Sequence, residues 1–434
     1  MKRVLALAYH FPPIGGAGVQ RSVKMVRYLP DDGWEPVVVT GPGTPAGRWT
    51  PVDDALAAEV GEGVEVHRVQ GPRPPAGSPW RRRGERWLRL RSPFSRWWQW
   101  GAVAAGLRVE GPVDAVYASM APFESGAAAV ELARRLRRPC VLDLRDPWAL
   151  DEMVVYPTGL HRRREVAAMG RLLARADAVV MNTPEAARLV HDAFPGLGPD
   201  VVRVIPNGFD AEDFDGPEPA RDDDAFRIVH TGYLHTELGR RTRRQASAGR
   251  VLRGGAGRVD ILTRSHVHLV AALNRLAADD PALAARIELH LAGVLSEADL
   301  EVARSCAVTV RTPGYLDHDA SIALVRSADL LFLPMHDLPG GGRSSIVPGK
   351  TYEYLASGRP VLAAVPEGDA RDLLVAAGTA RVCAPGDADG MRRIVAEAAA
   401  GGRVPTADTS AALAPYERRR LAARLAGVLD AVTA

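Results

Sequence analysis

Cysteine is scarce in this sequence of 434 residues, where it occurs only at Cys140, Cys306 and Cys383. Three cysteines so far apart predict neither a disulfide framework nor a Cys-based metal site, so a reducing cytoplasm is the expected compartment. No apolar run approaches the roughly 18 residues of a membrane-spanning helix. The run at residues 4–9 is too short for a signal peptide and favours a buried first strand.

Lysine is rare as well, because it occurs only at Lys2, Lys24 and Lys350 while the other basic residues are arginines. The 55 Lys and Arg residues are nearly balanced by 52 Asp and Glu, which leaves a net charge of +3. This balance argues against bulk nucleic-acid binding, which usually needs a clearly basic domain. The apolar fraction of 47% is typical of a folded protein.

Short β-branched runs alternate with Ala-, Leu- and Arg-rich helical patterns, which predicts an α/β fold with parallel sheets. The alternation stops at the turn residues after Pro206 and restarts near residue 226. We therefore predict a Rossmann-like domain at residues 1–206, a linker at 207–224, a second Rossmann-like domain at 225–413 and a C-terminal helix at 414–434. One place that we consider for this helix is back against the first domain. Ligands of such sheets bind at the carboxyl ends of the strands, so the expected site is the cleft between the domains.

Gly15 and Gly16 lie in a predicted loop between the first strand and the first helix. Glycines let backbone amides approach a phosphate closely. Gly16 and Gly18 fit the first two glycines of the dinucleotide fingerprint G-x-G-x-x-G, but Arg21 stands at the third. A nicotinamide cofactor is therefore not expected. A plain strand–helix turn is the alternative interpretation of this loop.

Lys350 and Glu353 lie three residues apart on a short predicted helix, which Gly358 ends before Pro360 begins a strand. A carboxylate at this place can hold a ribose diol, and an ammonium can hold a phosphate. A surface ion pair is the alternative, and these two residues alone would favour it.

Four passages, in an order and spacing that span nearly the whole chain, resemble retaining glycosyltransferases of the GT-B fold, most closely the bacterial branch of family 4. They are Phe11-Pro12-Pro13-Ile14-Gly15-Gly16, Asp143-Leu144-Arg145-Asp146-Pro147-Trp148, Pro206-Asn207-Gly208-Phe209-Asp210, and residues 348–361 with Lys350 and Glu353. The resemblance implies two Rossmann-like domains facing each other across a cleft, with a nucleotide diphosphate sugar as donor and a hydroxyl group as acceptor.

By this resemblance Glu353 binds the ribose hydroxyls, and the amides of Gly15 and Gly16 face the diphosphate or the transferred sugar. The other donor-binding residues that it implies are Lys350, Gly232, Gly314, Arg240, Arg241 and Arg244. A solvated arginine loop is the alternative for these three arginines. Family 4 often carries a further Glu eight residues before Glu353, where this chain has Ser345. We expect Ser345 and the glycine-rich loop before it to take over that contact with the sugar.

On the acceptor side the resemblance implies Asp143, Asp146 and His10 as catalytic candidates, and Glu124 and Trp148 as further contacts. Either aspartate is expected to orient the acceptor or to act as a base. A structural role for the pair, with Asp146 as a helix cap, is the alternative. No acidic metal-binding triplet stands out, so neither a metal nor another cofactor is expected.

All eight tryptophans lie within the first 148 residues, and five of them fall between Trp80 and Trp100 among many arginines. This composition predicts a peripheral membrane contact, at the inner face of a membrane if the protein is cytoplasmic. Helices that bury Trp and leave Arg in water are the alternative. For the whole chain, a non-catalytic sugar-nucleotide-binding protein and a GT-B epimerase or phosphorylase also stay open.

Overall fold

A computed structural model describes the chain outside residues 17, 46–48, 62, 72–73, 75–77, 79, 81–83, 86–91, 157, 222, 249–258 and 402–405, and outside the side chains of 245–248. The chain forms two compact units. Met1–Asn207 and Arg418–Ala434 make up the first unit, and Gly208–Glu417 makes up the second. Residues 208–224 belong to the second unit, although the sequence suggested a separate linker there.

The first unit contains a parallel sheet with the strand order β3-β2-β1-β4-β5-β6-β7. Its strands are β1 (Lys2–Ala8), β2 (Trp34–Thr40), β3 (Glu65–Arg68), β4 (Ala115–Ser119), β5 (Cys140–Leu144), β6 (Ala178–Met181) and β7 (Val202–Val204). The central strands β4, β5 and β6 are buried at every residue. Near-continuous apolar strands of this kind are what a parallel sheet covered on both faces requires.

Helices follow most of these strands and supply the cover. They are α1 (Val19–Tyr28), α2 (Asp54–Ala58), α3 (Pro93–Gly106), α4 (Glu124–Leu136), α5 (Gly159–Leu173) and α6 (Pro184–Ala193). The last helix of the chain, Arg418–Thr433, also packs in this unit. Its Leu421, Leu425 and Leu429 share a buried cluster with Val4 and Ala6 of β1, and the spacing of four residues keeps them on one helix face.

The second unit contains a sheet with the order β10-β9-β8-β11-β12-β13, and its strand pairs are all parallel. The strands are β8 (Phe226–Thr231), β9 (Ile287–Ala292), β10 (Thr309–Gly314), β11 (Leu330–Pro334), β12 (Val361–Ala364) and β13 (Ala380–Cys383). The two sheets confirm the predicted α/β fold with two Rossmann-like domains.

The helices of the second unit alternate with its strands. They are α7 (Thr236–Ala248), α8 (Val267–Asp279), α9 (Pro281–Ala284), α10 (Glu297–Arg304), α11 (His318–Arg326), α12 (Lys350–Ala356), α13 (Asp369–Ala377), α14 (Ala388–Gly401) and α15 (Ser410–Leu413), so that Arg418–Thr433 is α16. In the described part of the chain, no helix is both long enough and apolar enough to cross a bilayer.

Candidate functional site

The glycine loop of the first unit is held by the segment around residue 50. The amide of Gly15 donates to the carbonyl of Pro51 at 2.8 Å, so this amide is already engaged within the protein. Gly16 has a φ of +97°, and a Cβ atom there would lie 2.4 Å from the carbonyl oxygen of Trp49. Glycine is therefore required at position 16 by both its conformation and its packing.

Asp143 lies at the end of β5 and is fully buried. Its carboxylate accepts from Arg21 at 2.8 and 3.2 Å and from the hydroxyl of Tyr117 at 2.5 Å. Arg21 also donates to the carbonyls of Ile205 and Pro206 at 2.9 and 2.8 Å. Because no face of Asp143 is open to a substrate, the structure gives it the structural role of an ion-pair partner instead of the catalytic role inferred from sequence.

Asp146 is exposed two residues beyond the end of β5, where a ligand of the first sheet can reach it. Trp148 stacks on Phe123 with ring centroids 5.0 Å apart and donates to Glu165 at 3.2 Å. Glu124 begins α4 and accepts from Ser95 at 2.6 Å.

His10 is half-buried and follows the end of β1, with its ring edge-on to Tyr9 at 4.8 Å. His10 and Asp146 therefore both follow the carboxyl ends of their strands, at the same edge of the first sheet. Since Asp143 is enclosed, Asp146 and His10 are the catalytic candidates whose position allows contact with an acceptor.

In the second unit, three neighbouring strands end in glycines with positive φ. Gly232, Gly293 and Gly314 follow or end β8, β9 and β10, with φ values of +98°, +138° and +84°. A Cβ atom at Gly293 would lie 2.5 Å from the carbonyl oxygen of Gly232, and one at Gly232 would lie 3.0 Å from the Nζ atom of Lys350. Glycine thus lets these strand ends and Lys350 approach closely, and Gly293 is a member of this row that the sequence analysis missed.

Lys350 begins α12 and reaches the carboxyl end of β8, where its Nζ atom lies 3.2 Å from Nε2 of His230. On the same helix, the hydroxyl of Tyr354 accepts from the amide of Thr231 at 2.8 Å. These two contacts fix α12 against β8, and Glu353 lies half-buried between them in the helix sequence.

The surroundings of Lys350 favour loss of its proton near neutrality. Burial, followed by the nearby positive charge of Arg264, lowers its pKa to about 7, against the opposing effect of Glu353. Burial, and then the charge of Lys350, also holds the pKa of His230 well below its usual range. His230 is therefore neutral at physiological pH.

Arg264 was not predicted as a site residue, because nothing in the sequence distinguishes it in a chain so rich in arginine. It follows the short 3-10 turn Ile261–Thr263 and accepts with its carbonyl from the amide of His235 at 3.1 Å. The arginines predicted from the sequence, Arg240, Arg241 and Arg244, lie instead on helix α7. Arg240 pairs with Glu301, and Arg241 and Arg244 are exposed. The structure brings Arg264 close to Lys350 and engages Arg240 in a different contact.

Ser345 does not present its side chain where the missing Glu would act, because it is fully buried. Its neighbour Ser344 is also buried and contacts Nε2 of His336 at 3.3 Å. Gly341 and Gly342, by contrast, are exposed, with positive φ and open space around a Cβ position. The buried side chain of Ser345 is thus less accessible than the glycine backbone before it, so of the predicted backbone amides and hydroxyls of this loop the backbone at Gly341 and Gly342 is the better placed.

The tryptophan-rich segment divides between core and surface. Trp98 on α3 is fully buried and donates to Ser125 at 3.0 Å, whereas Trp80 and Trp100 are 80% and 66% exposed. Trp87 and the arginines at 81–83, 86, 89 and 91 lie outside the described residues. The interpretation as core packing thus holds for Trp98, and two tryptophans face water.

A family model described as "Glycosyl transferase 4-like domain" matches residues 15–208. Among solved structures, this chain is similar to HepE of Anabaena in complex with UDP, with 15% identity and a TM-score of 0.60 over 99% of this chain and 100% of the other. It is also similar to the lipopolysaccharide outer core galactosyltransferase WaaB, with 12% identity and a TM-score of 0.56 over 99% of both chains. A UDP-forming trehalose-phosphate synthase of Burkholderia xenovorans gives 14% identity and a TM-score of 0.61 over 100% of both chains. No curated protein matches the sequence.

Proposed function

We propose that this chain transfers a sugar from a nucleotide diphosphate sugar to a hydroxyl acceptor with retention of configuration. The match of residues 15–208 to a glycosyl transferase 4-like domain and the GT-B fold of the chain support this proposal. The observation that carries the proposal is the position of Lys350 beside Gly232 at the end of β8, where the charges of Arg264 and Glu353 also act on it. Two cations suit a diphosphate and the carboxylate suits a ribose diol.

In this proposal Lys350 and Arg264 bind the diphosphate, and Glu353 accepts hydrogen bonds from the ribose. The acceptor hydroxyl attacks the anomeric carbon on the face from which the diphosphate departs, and a diphosphate oxygen takes the proton. The two cations lower the barrier by stabilising the charge that grows on the leaving group. Asp146 or His10 orients the acceptor, and no metal or other cofactor is included in the proposal. That HepE was crystallised with UDP supports the choice of a nucleotide diphosphate.

Thermal shift against UDP-, GDP-, ADP- and dTDP-sugars tests the donor site. We expect one of these nucleotides to raise the melting temperature, because a ligand that binds only the folded state stabilises it by mass action. Slow hydrolysis of the same donor separates an enzyme from a non-catalytic binder, which would be stabilised without turning the donor over. If none of the four classes of donor stabilises the protein, the proposal fails.

We further propose that the acceptor is presented at an anionic membrane, with the protein at its cytoplasmic face. The exposed side chains of Trp80 and Trp100 support this, since Trp favours the interface between water and lipid. We expect the protein to sediment with anionic vesicles at low salt and to be released by high salt. Replacing Trp80 and Trp100 by serine should abolish sedimentation, whereas the buried Trp98 is left intact in both proteins. Absence of sedimentation by the unaltered protein would rule the contact out.

A further inference from the structure

His230 is enclosed at the end of β8, yet it makes polar contacts on both sides of its ring. Only 1% of its surface is exposed. Its Nδ1 atom lies 3.0 Å from the carbonyl oxygen of Phe332 on β11, and its Nε2 atom lies 3.2 Å from Nζ of Lys350. A carbonyl can only accept, so we assign the hydrogen of the neutral ring to Nδ1, beside Phe332. Nε2 is then an acceptor, and the ammonium of Lys350 is its donor. The backbone of Tyr233 is a further hydrogen-bond partner of the ring.

The imidazole is therefore a hydrogen-bond acceptor, through Nε2, for the protonated form of Lys350. It stabilises the charged form of the lysine, because a hydrogen bond to that form favours it. Burial and Arg264 act in the opposite direction, and Glu353 acts with His230. His266, whose charge would lower the pKa of His230, has its own pKa lowered by burial to about 4 and is neutral in the same range. These opposing effects leave Lys350 with a pKa of about 7.

We propose that His230 is a positioning residue that holds the Lys350 ammonium for the donor's diphosphate, and that donor binding is thereby coupled to the uptake of a proton by Lys350. This inference depends on the proposed function, because it takes the diphosphate as the ligand of Lys350. Below the pKa of the free protein the cation is already present, and binding needs no proton. Above that pKa each bound donor must take up one proton, so the affinity falls about tenfold for each unit of pH.

The scarcity of lysine makes the first part of this inference directly measurable. Protein labelled with ¹⁵N only in lysine contains three labelled side chains, Lys2, Lys24 and Lys350, and arginine substitution of the first two assigns the signals. We expect Lys350 to titrate near pH 7. A midpoint above pH 9 in the free protein would contradict the coupling, whether or not a donor binds.

Two variants separate the contacts of His230. In His230→Asn the side-chain amide can still donate to Phe332 but is too short to reach Lys350, whereas in His230→Gln an oxygen can occupy the place of Nε2. We expect His230→Asn to weaken donor binding about tenfold at pH 7 and to move the Lys350 midpoint to lower pH. His230→Gln should restore both values in large part. His290→Gln on β9, where the histidine contacts Glu288, is the matched control.

Affinity is measured between pH 6 and 8.5 with UDP-glucose, GDP-mannose, ADP-glucose and dTDP-glucose, whose diphosphate diesters keep a constant charge over this range. Failure of all four to bind at pH 6 would contradict the donor site itself, and the coupling with it. Donor affinity that does not change with pH, or equal losses of affinity in His230→Asn and His230→Gln, would contradict the role of His230 and leave the donor site in place. Uptake of about one proton at pH 8, measured by calorimetry in buffers of different ionisation enthalpy, would support it.

Discussion

Replacing Glu353 by alanine is expected to abolish the thermal shift given by the donor and to weaken donor binding about 100-fold or more. A carboxylate that accepts from two ribose hydroxyls makes two charge-assisted hydrogen bonds, each worth about 1.5–3 kcal/mol. Losing even about 3 kcal/mol corresponds to a factor of roughly 100 in the dissociation constant. The side chain lies half-buried on α12, which the contacts of Lys350 and Tyr354 hold against β8.

Glu397→Ala is the matched control, because Glu397 forms an exposed ion pair with Arg381 on the same unit. Exposed pairs of this kind contribute about 0–1 kcal/mol, so this variant should bind the donor as the unaltered protein does. A 2′-deoxy donor tests the ribose role more closely. It should bind more weakly than the ribose form to the unaltered protein, and this difference should vanish in Glu353→Ala. A thermal shift retained by Glu353→Ala would refute the assignment.

The α/β fold could be predicted because its signal is local and repeated. Buried strands such as β5 and β11 are short apolar runs, and helices follow them. The donor segment was also accessible, since Lys350, Glu353 and the stop residue Gly358 lie within one short stretch of the chain. Residues 208–224 were harder to place, because their polar composition is typical of a linker while contacts such as His318 with Asp213, 2.7 Å apart, join them to the second unit.

Contacts between residues distant in sequence explain what could not be predicted at the candidate site. Lys350 and His230 are 120 residues apart, and no local pattern pairs them. The sequence pointed to Arg240 and gave no reason to choose Arg264, and only tertiary structure shows that the charge of Arg264 acts on Lys350 while Arg240 pairs with Glu301. Asp143 presented the same difficulty, because a carboxylate after a buried strand is typical both of a catalytic residue and of one that is neutralised within the core.

Replacing Arg21 by methionine is expected to lower the free energy of unfolding of the first unit by about 3–5 kcal/mol. The variant leaves the carboxylate of Asp143 buried without its cation, and removing one partner of a buried pair costs about this much. It also removes the donors to the carbonyls of Ile205 and Pro206, where the chain leaves the first sheet. Because all eight tryptophans lie in the first unit, urea unfolding followed by Trp fluorescence reports on this unit alone.

Arg203→Met is the control for this measurement, since Arg203 pairs with Asp200 at the surface of the same unit and should cost less than about 1 kcal/mol. The double variant Arg21→Met, Asp143→Leu removes both charges, so it should be more stable than Arg21→Met, as apolar replacement of a buried pair is often neutral. If Asp143 acted as a catalytic base, Asp143→Leu would remove activity however stable the double variant was. Recovery of both stability and transfer by the double variant would show that Asp143 serves the fold, and would leave Asp146 and His10 as the catalytic candidates. An additive loss of stability in the double variant would instead contradict a direct pairing of Arg21 with Asp143.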